Sequence, residues 1–258
     1  MEKHDWNPDL YLTFNKERIR PTVDLVSRIY YDMPDKIIDI GCGPGNSTQI
    51  LHQRWPDSII VGADNSPAMI KKAADDYPDQ KWILFDAGKE VIEDKFDIVF
   101  SNAVIQWIPN HDRLIKKFSD MMNKHGILAV QLPLFFDMPL GQLISEIAEN
   151  TKWRNATRGV RKLFTINPAS YYYDLLVTYF SKIDIWTTDY CHIMESHSAI
   201  LEMIKTTGMK PYLEKIANEA ERLEFEKLVL DKIKQDYPSQ QNGRVLFPFK
   251  RLFFIAIK

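Results

Sequence analysis

Apolar residues in the first half of the chain come as short β-branched runs with helical stretches between them. Ile37-Ile38-Asp39-Ile40, Ser58–Asp64, Lys81–Asp86, Lys95–Asn102 and Gly126–Leu132 each read as a strand. Near-continuous Ile, Val and Leu mark a strand covered on both faces. One helical pattern runs from Asn46 through Ile50, Leu51 and Trp55 and ends before Pro56; a second starts at Ser66-Pro67, and a third covers Arg113–Met122. A capping serine followed by a proline, whose missing N–H costs nothing in a first turn, is a helix-start signal. Upstream, Ile19, Val23, Val26 and Ile29 recur at helical spacing, and Pro21 predicts a helix beginning there and running to about Tyr31. Five strands alternating with helices predict a parallel sheet with helices on both faces, a doubly wound α/β fold.

The second half is less regular. Pro139–Asn150 and Tyr171–Tyr179 read as helices, Ile183–Tyr190 alternates as a sixth strand, and Arg251–Ile257 is an apolar last strand. Residues 196–237 are helical in pattern, broken at Gly208-Met-Lys-Pro211. The expected division is an N-terminal helical arm or lid (1–34), a core (35–195 with 246–258, carrying an insert at 135–170), and a helical cap (196–245) inserted before the last strand. Caps above the carboxyl ends of strands shape substrate pockets.

Charge changes this picture little. A net charge of −2 on 258 residues has none of the basic excess of a nucleic-acid partner, so any anion site must be local. Cys42 and Cys191 lie far apart and form neither a disulfide nor a metal pattern, which predicts a reducing cytoplasm. No apolar leader and no run of membrane-spanning length appear, so the expectation is a cytoplasmic protein with no membrane partner. The sequence does not give the oligomeric state, and a monomer is the default. His192 and His197 do not have the spacing of helical zinc ligands, and no metal is expected.

The chemistry gathers at Asp39-Ile-Gly-Cys-Gly-Pro-Gly-Asn46, where a strand runs into Gly41, Gly43 and Gly45 and then a helix start. Glycines let a backbone approach a ligand, and the helix start offers N–H groups to it. The next strands end in Asp64, Asp86 and Asn102. One carboxylate placed for ribose hydroxyls and another for adenine amino hydrogens, in this order along the strand ends, point to adenosine recognition.

These motifs, with Phe96-Asp-Ile-Val-Phe-Ser-Asn102, resemble the class I S-adenosylmethionine-dependent methyltransferases over about residues 35–135. The resemblance implies a Rossmann-like, seven-stranded mixed sheet whose final strand is antiparallel. It also implies a site for S-adenosylmethionine, and for its product S-adenosylhomocysteine, made of Asp39, Gly41, Cys42, Gly43, Gly45, Asn46, Asp64, Asn65, Met69, Asp86, Ala87, Asn102 and Ala103. By analogy the glycines lie along the amino-acid half and Asp39 supports the loop through its backbone amides. Asp64 holds the ribose, Asp86 with the Ala87 backbone holds the adenine, and Asn102 with Ala103 forms the floor near the sulfonium.

A narrower resemblance covers nearly the whole chain. Trp6-Asn-Pro-Asp-Leu-Tyr11, Glu17-Arg-x-Arg-Pro21, Asn102-Ala-x-x-Gln-Trp107, Asp184-Ile-Trp186, Ser196-His-x-Ala-Ile200 and Thr207-Gly-Met-Lys-Pro211 are similar to the trans-aconitate methyltransferase family, as is the closing Gly243-Arg…Arg251-Leu-Phe. That family esterifies a carboxylate of a small polycarboxylic acid. A carboxylic acid with a pKa near ~4 is already ionised at neutral pH, so no catalytic acid or base is expected. Trp6, Tyr11, Arg20, Gln106, Trp107 and Arg154 are the expected substrate-binding residues, with Arg18, Arg158, Arg161 and Arg244 as further carboxylate-binding candidates. Leu134, Phe135, Leu140 and Gly141 depart from a polar family pattern in a stretch expected to overhang the substrate. Three alternatives stand beside this reading. One is transfer to a hydroxyl, amine or carbon, for which His111 would be a candidate base. Another is a nicotinamide-dependent dehydrogenase, disfavoured by the G-x-G-x-G spacing and Asp86. The third is a non-enzymatic cofactor-binding module.

Overall fold

The computed structural model describes residues 15–258, with side chains from Ile19 onward. Its strands are β1 (Lys36–Ile40), β2 (Ile59–Asp64), β3 (Lys81–Leu84), β4 (Phe96–Asn102), β5 (Met122–Pro133), β6 (Lys182–Met194) and β7 (Val245–Ile257). They form one sheet in the order β3-β2-β1-β4-β5-β7-β6. β1 to β5 pair in parallel, and Ile38 sits between Val61 and Val99. β7 runs antiparallel to β5. The Leu134 N–H reaches the Lys250 carbonyl and the Lys258 N–H reaches the Gly126 carbonyl, each at 3.0 Å, so partners rise along one strand as they fall along the other. The mixed seven-stranded sheet matches the expectation.

The helices are α1 (Asn15–Ser27), α2 (Asn46–Arg54), α3 (Pro67–Asp76), α4 (His111–Asp120), α5 (Pro139–Glu149), α6 (Ala169–Leu176), α7 (His197–Lys205), α8 (Lys210–Lys215) and α9 (Glu219–Asp236). Ser66 caps α3 through the Met69 N–H, with Pro67 in the first turn as expected. Ile37, Ile38, Ile98, Val99 and Phe100 are sealed in the sheet interior, each contributing about 1.5–3 kcal/mol by leaving water.

Several boundaries differ from the sequence reading, β5 and β6 being longer than read, and three have a plain physical reason. α1 starts upstream and carries Pro21 in its interior, because Leu25 and Val26 are buried and tertiary packing outweighs the missing hydrogen bond. It stops at Ser27, where the Arg28 and Ile29 N–H groups fall back to carbonyls three residues earlier. β7 begins at Val245, since Val245, Phe247 and Phe249 continue the inward alternation through an outward Pro248.

Two compact units are present. One holds residues up to Leu132, Thr165–Trp186 and Leu252–Lys258; the other holds Pro133–Phe164 and Thr187–Arg251. In the second unit α5, α7 and α9 pack around Ile144, Ile200, Phe225, Val229 and Ile233, and the Trp153 ring meets Phe225 edge-on at 5.4 Å. Asn218 and Ser196 cap α9 and α7.

Candidate cofactor site

β1 lies between β2 and β4, so its carboxyl end is the point where the chain changes direction across the sheet, the usual ligand position in such folds. The loop that leaves it is held from beneath: the Gly41 and Cys42 N–H groups both bond the Ala63 carbonyl, at 2.6 and 3.1 Å. Gly41 has φ +75°, and a Cβ there would lie 2.1 Å from Val104 Cγ2. Gly43 also has positive φ, yet a Cβ there would meet nothing within 4 Å among the described residues. The loop is therefore packed on one side and opens onto space at Gly43. Gly45 stands at the start of α2, and Asn46 is half-buried in the first turn.

Each predicted carboxylate has a defined set of partners. Asp39 is fully buried, and its Oδ2 accepts from the Ser47 hydroxyl (2.6 Å) and the Thr48 hydroxyl (2.7 Å), while Oδ1 has no hydrogen-bond partner. The expected support through loop amides is thus replaced by two hydroxyls of α2, which lie one turn beyond the glycines. Burial pushes the Asp39 carboxyl up to about 6, against the lowering effect of those hydroxyls. Asp64 accepts from the Gly43 N–H through Oδ2 and from the Ser66 N–H through Oδ1, both at 2.9 Å. It ties the glycine loop to the start of α3, beside exposed Asn65 and buried Met69. Asp86 accepts from Gly88 N–H (3.0 Å) and pairs with Lys89 Nζ (2.7 Å). The adjoining Ala87 is buried, and its carbonyl accepts from Lys117 Nζ at 2.6 Å.

At the end of β4, Ala103 adopts φ +58°, a strained setting for a residue with a Cβ, and its N–H bonds the Gln131 carbonyl at 2.9 Å. Gln106 Nε2 donates to the Ala103 carbonyl at 2.7 Å, from a single helical turn over Ile105–Trp107. Asn102 Oδ1 and Gln106 Oε1 are buried without a hydrogen-bond partner among the described residues. Two orphaned acceptors at one strand end, with open space at Gly43, suit a ligand that brings an ammonium group. These residues therefore fit S-adenosylmethionine.

His111 is not available as a base. Its Nε2 lies 2.8 Å from the Ile105 carbonyl and its Nδ1 2.8 Å from the Tyr172 hydroxyl. A carbonyl only accepts, so Nε2 carries the proton and Nδ1 accepts from Tyr172. Burial lowers the His111 pKa, which keeps the ring neutral. The pair ties the Gln106 turn to α6. Tyr172→Phe is expected to leave Nδ1 unsatisfied and to lower stability by about 1–3 kcal/mol; a urea midpoint equal to wild type would remove the pair from the account.

The predicted substrate residues are placed less evenly. Trp6 and Tyr11 lie outside the described residues, as does the Arg18 side chain. Gln106 and half-buried Trp107 share the turn at the β4 end, and Arg20 is exposed on α1. Arg154 and Arg158 are exposed, Arg161 covers the Phe136 ring at 3.7 Å, and Arg244 pairs with Glu195 at 2.7 Å. In the Leu134–Gly141 stretch, which the sequence reading set over the substrate, Leu134, Phe135, Met138 and Leu140 are buried in the second unit. Gly141 is there because a Cβ would fall 1.9 Å from the Phe135 carbonyl oxygen. The apolar departures are core residues. Sequence reading missed Ser47, Thr48 and Lys117, and also Arg251, the one buried arginine among the described residues, whose guanidinium lies 4.6 Å from the Phe249 ring centre.

Comparison with known proteins bears on the fold, the family and the cofactor. Residues 38–130 match the family described as a methyltransferase domain. The fold is similar to the YcgJ protein of Bacillus subtilis (TM-score 0.59, 11% identity, covering 93% of this chain and 98% of that one). It is also similar to an O-methyltransferase from a Brevibacillus brevis multienzyme, a structure in complex with S-adenosyl-L-homocysteine (TM-score 0.53, 14% identity, covering 96% and 75%). In sequence, the chain is 40% identical over 252 residues, 98% of each protein, to a trans-aconitate 2-methyltransferase of Escherichia coli O157:H7. A likeness of that depth across both units, joined to a site that fits S-adenosylmethionine, means that the chain belongs to the trans-aconitate 2-methyltransferase family of S-adenosylmethionine-dependent enzymes.

Proposed function

We propose that the chain methylates a carboxylate of trans-aconitate or a closely related small polycarboxylic acid. The observation that carries this reading is the 40% identity to a trans-aconitate 2-methyltransferase over 98% of both chains. S-Adenosylmethionine, when bound, supplies an electrophilic methyl group. The chain's own work is placement: the acceptor oxygen must lie about 3–3.5 Å from the methyl carbon, in line with the departing sulfur and shielded from water. Gly43, opening onto space, and the orphaned Asn102 Oδ1 serve the amino-acid half of the cofactor, with Gly41, Gly45 and Asn46 shaping the loop. Asp64, already bound to the Gly43 amide, presents a carboxylate to the ribose, beside Asn65 and Met69. Asp86 and Ala87 take the adenine. Gln106 and Trp107, with Arg20, are the proposed acceptor-side residues, to which the sequence alone adds Trp6, Tyr11 and Arg154.

No side chain is needed to remove a proton from an acceptor that is ionised at neutral pH, and the engaged His111 fits that role-free chemistry. No described helix is long and apolar enough to cross a membrane. A cytoplasmic location is proposed on the cysteines, which form no disulfide pattern. The test is methyl transfer from labelled cofactor over a panel of trans-aconitate, other di- and tricarboxylic acids, an amine and an alcohol. Trans-aconitate or a near relative is expected to give an ester that mild base hydrolyses. Acceptance of the amine or alcohol with no acid esterified would overturn the proposal.

A further inference from the structure

We infer that Lys117 is a positioning residue for cofactor recognition, its buried ammonium on α4 clamping the loop that presents Asp86 and Ala87. The inference rests on the reading of Asp86 and Ala87 as the adenine-binding pair. Lys117 is 7% exposed, and its Nζ donates to the Ala87 carbonyl at 2.6 Å and the Glu90 carbonyl at 2.8 Å. The loop between those carbonyls closes on itself. The Lys89 and Glu90 N–H groups bond the Asp86 carbonyl (2.9 and 2.8 Å), and the Asp86 N–H bonds Glu90 Oε2 at 2.6 Å. Such a turn is firm internally but still has to be fixed to the rest of the unit.

Buried Phe85 and Ala87 pack the near end of the turn, but its far end is less well held. The segment that follows, Val91–Glu93, faces α4 across a cavity of about 460 Å³ lined by Val91, Ile92, Arg113, Lys117 and Met121. Across this gap Lys117 Nζ reaches the Glu90 carbonyl, and Lys95 Nζ, further along, donates to the Asp120 carbonyl of α4; of the two, only Lys117 holds the turn itself. The lysine's placement also has a cost, since an ammonium drawn out of water loses hydration that hydrogen bonds only offset, and a methionine would fill the same path without that loss. A lysine whose donors reach both ends of one loop is explained by the need to hold that loop in register. Asp86 discriminates adenine from hypoxanthine only if its carboxylate and the Ala87 amide stand at fixed positions.

The test is calorimetric titration of S-adenosylhomocysteine and S-inosylhomocysteine, whose base has a carbonyl in place of the amino group, against wild type, Lys117→Met, Lys117→Arg and Asp86→Asn. Lys117→Met is expected to raise the S-adenosylhomocysteine Kd about tenfold and to shrink the adenine preference severalfold, in line with a lost charged hydrogen bond. Lys117→Arg, which keeps a cation and several donors, is expected to recover part of both. Should Lys117→Met fail to fold, Lys117→Gln, which is too short to reach both carbonyls, takes its place with the same expectation. If Asp86→Asn loses the preference while the Lys117 variants keep wild-type Kd and preference, the clamp is wrong and the adenine reading stands. A loss of melting temperature with the preference intact also overturns the clamp. An unchanged preference in Asp86→Asn overturns the adenine reading and the clamp with it.

Discussion

Gly41→Ala is expected to yield a protein that binds no measurable S-adenosylhomocysteine and unfolds at much lower urea than wild type. The added Cβ would fall 2.1, 2.6 and 2.8 Å from the three isopropyl carbons of Val104, so no single atom can swing aside to admit it. Val104 is β-branched and stiff at χ1, which closes the easy escape. The left-handed backbone adds about 1–2 kcal/mol for any residue with a Cβ, and overpacking adds about 1–3 kcal/mol. A combined loss of roughly 3 kcal/mol is a large share of a normal folding free energy. Binding suffers by a separate route, because Val104 leads directly into the Gln106 turn. Gly43→Ala is the matching control: its backbone cost is similar, but its methyl group meets open space. It is expected to fold with a smaller loss of stability and to lose affinity through the obstructed cradle. A Gly41→Ala protein with wild-type urea midpoint and affinity would show that the loop is not packed as described.

The second large effect is a pH dependence. Asp39 has its folded pKa at about 6, above the ordinary 3.8, so the native chain holds a proton that the unfolded chain has already released between those values. The folded state binds more protons there, and stability falls as pH rises. The contribution is fully favourable below about pH 4 and is lost through about pH 6, a change of about 3 kcal/mol for the shift. His111, whose pKa is lowered, acts in the opposite sense in an overlapping range, so wild type alone gives a mixed curve. The difference between Asp39→Asn and wild type isolates the carboxyl, since Asn has no proton to release. Melting temperatures of the two ligand-free proteins, compared from pH 4 to 7.5, are expected to diverge in favour of Asp39→Asn as pH rises. A difference that stays flat across that range would mean that Asp39 titrates normally in the folded state.

How much of this was legible in the sequence follows from the range over which each signal acts. The β-branched run at Ile37–Ile40, the glycines and the acids at strand ends are local, and a parallel sheet forces those ends to one edge, so the core was readable in order. β7 was cut short because Pro248 looks like a strand breaker until its outward position is known. The Leu134–Gly141 stretch looked like a departure at a substrate loop because nothing local says that Phe135 will stack on Phe164, at 6.3 Å between ring centres. His111 could not be freed of a catalytic role without Tyr172, which is far away in sequence. Lys117 did leave a trace: it lies three residues after Leu114 and four before Met121, on the apolar face of an otherwise regular helix. A lone lysine in that stripe is a signal that its charge has a destination.

The strand order carries a consequence for biosynthesis. β7 lies between β5 and β6, so β6 has no partner in the sheet when it leaves the ribosome and must wait while the chain from Met194 to Val245 is made. The parallel half, β1 to β5, can assemble as it emerges, but β5 keeps an unpaired edge through the same interval. Exposed edges of this kind recruit other strands and are a hazard in a nascent chain. The helices α7 to α9 are translated in that interval, and their compact packing would shorten the path that β7 must travel to reach its slot. The late insertion of one strand, rather than the order of the glycine-bearing half, sets when this enzyme's sheet is complete.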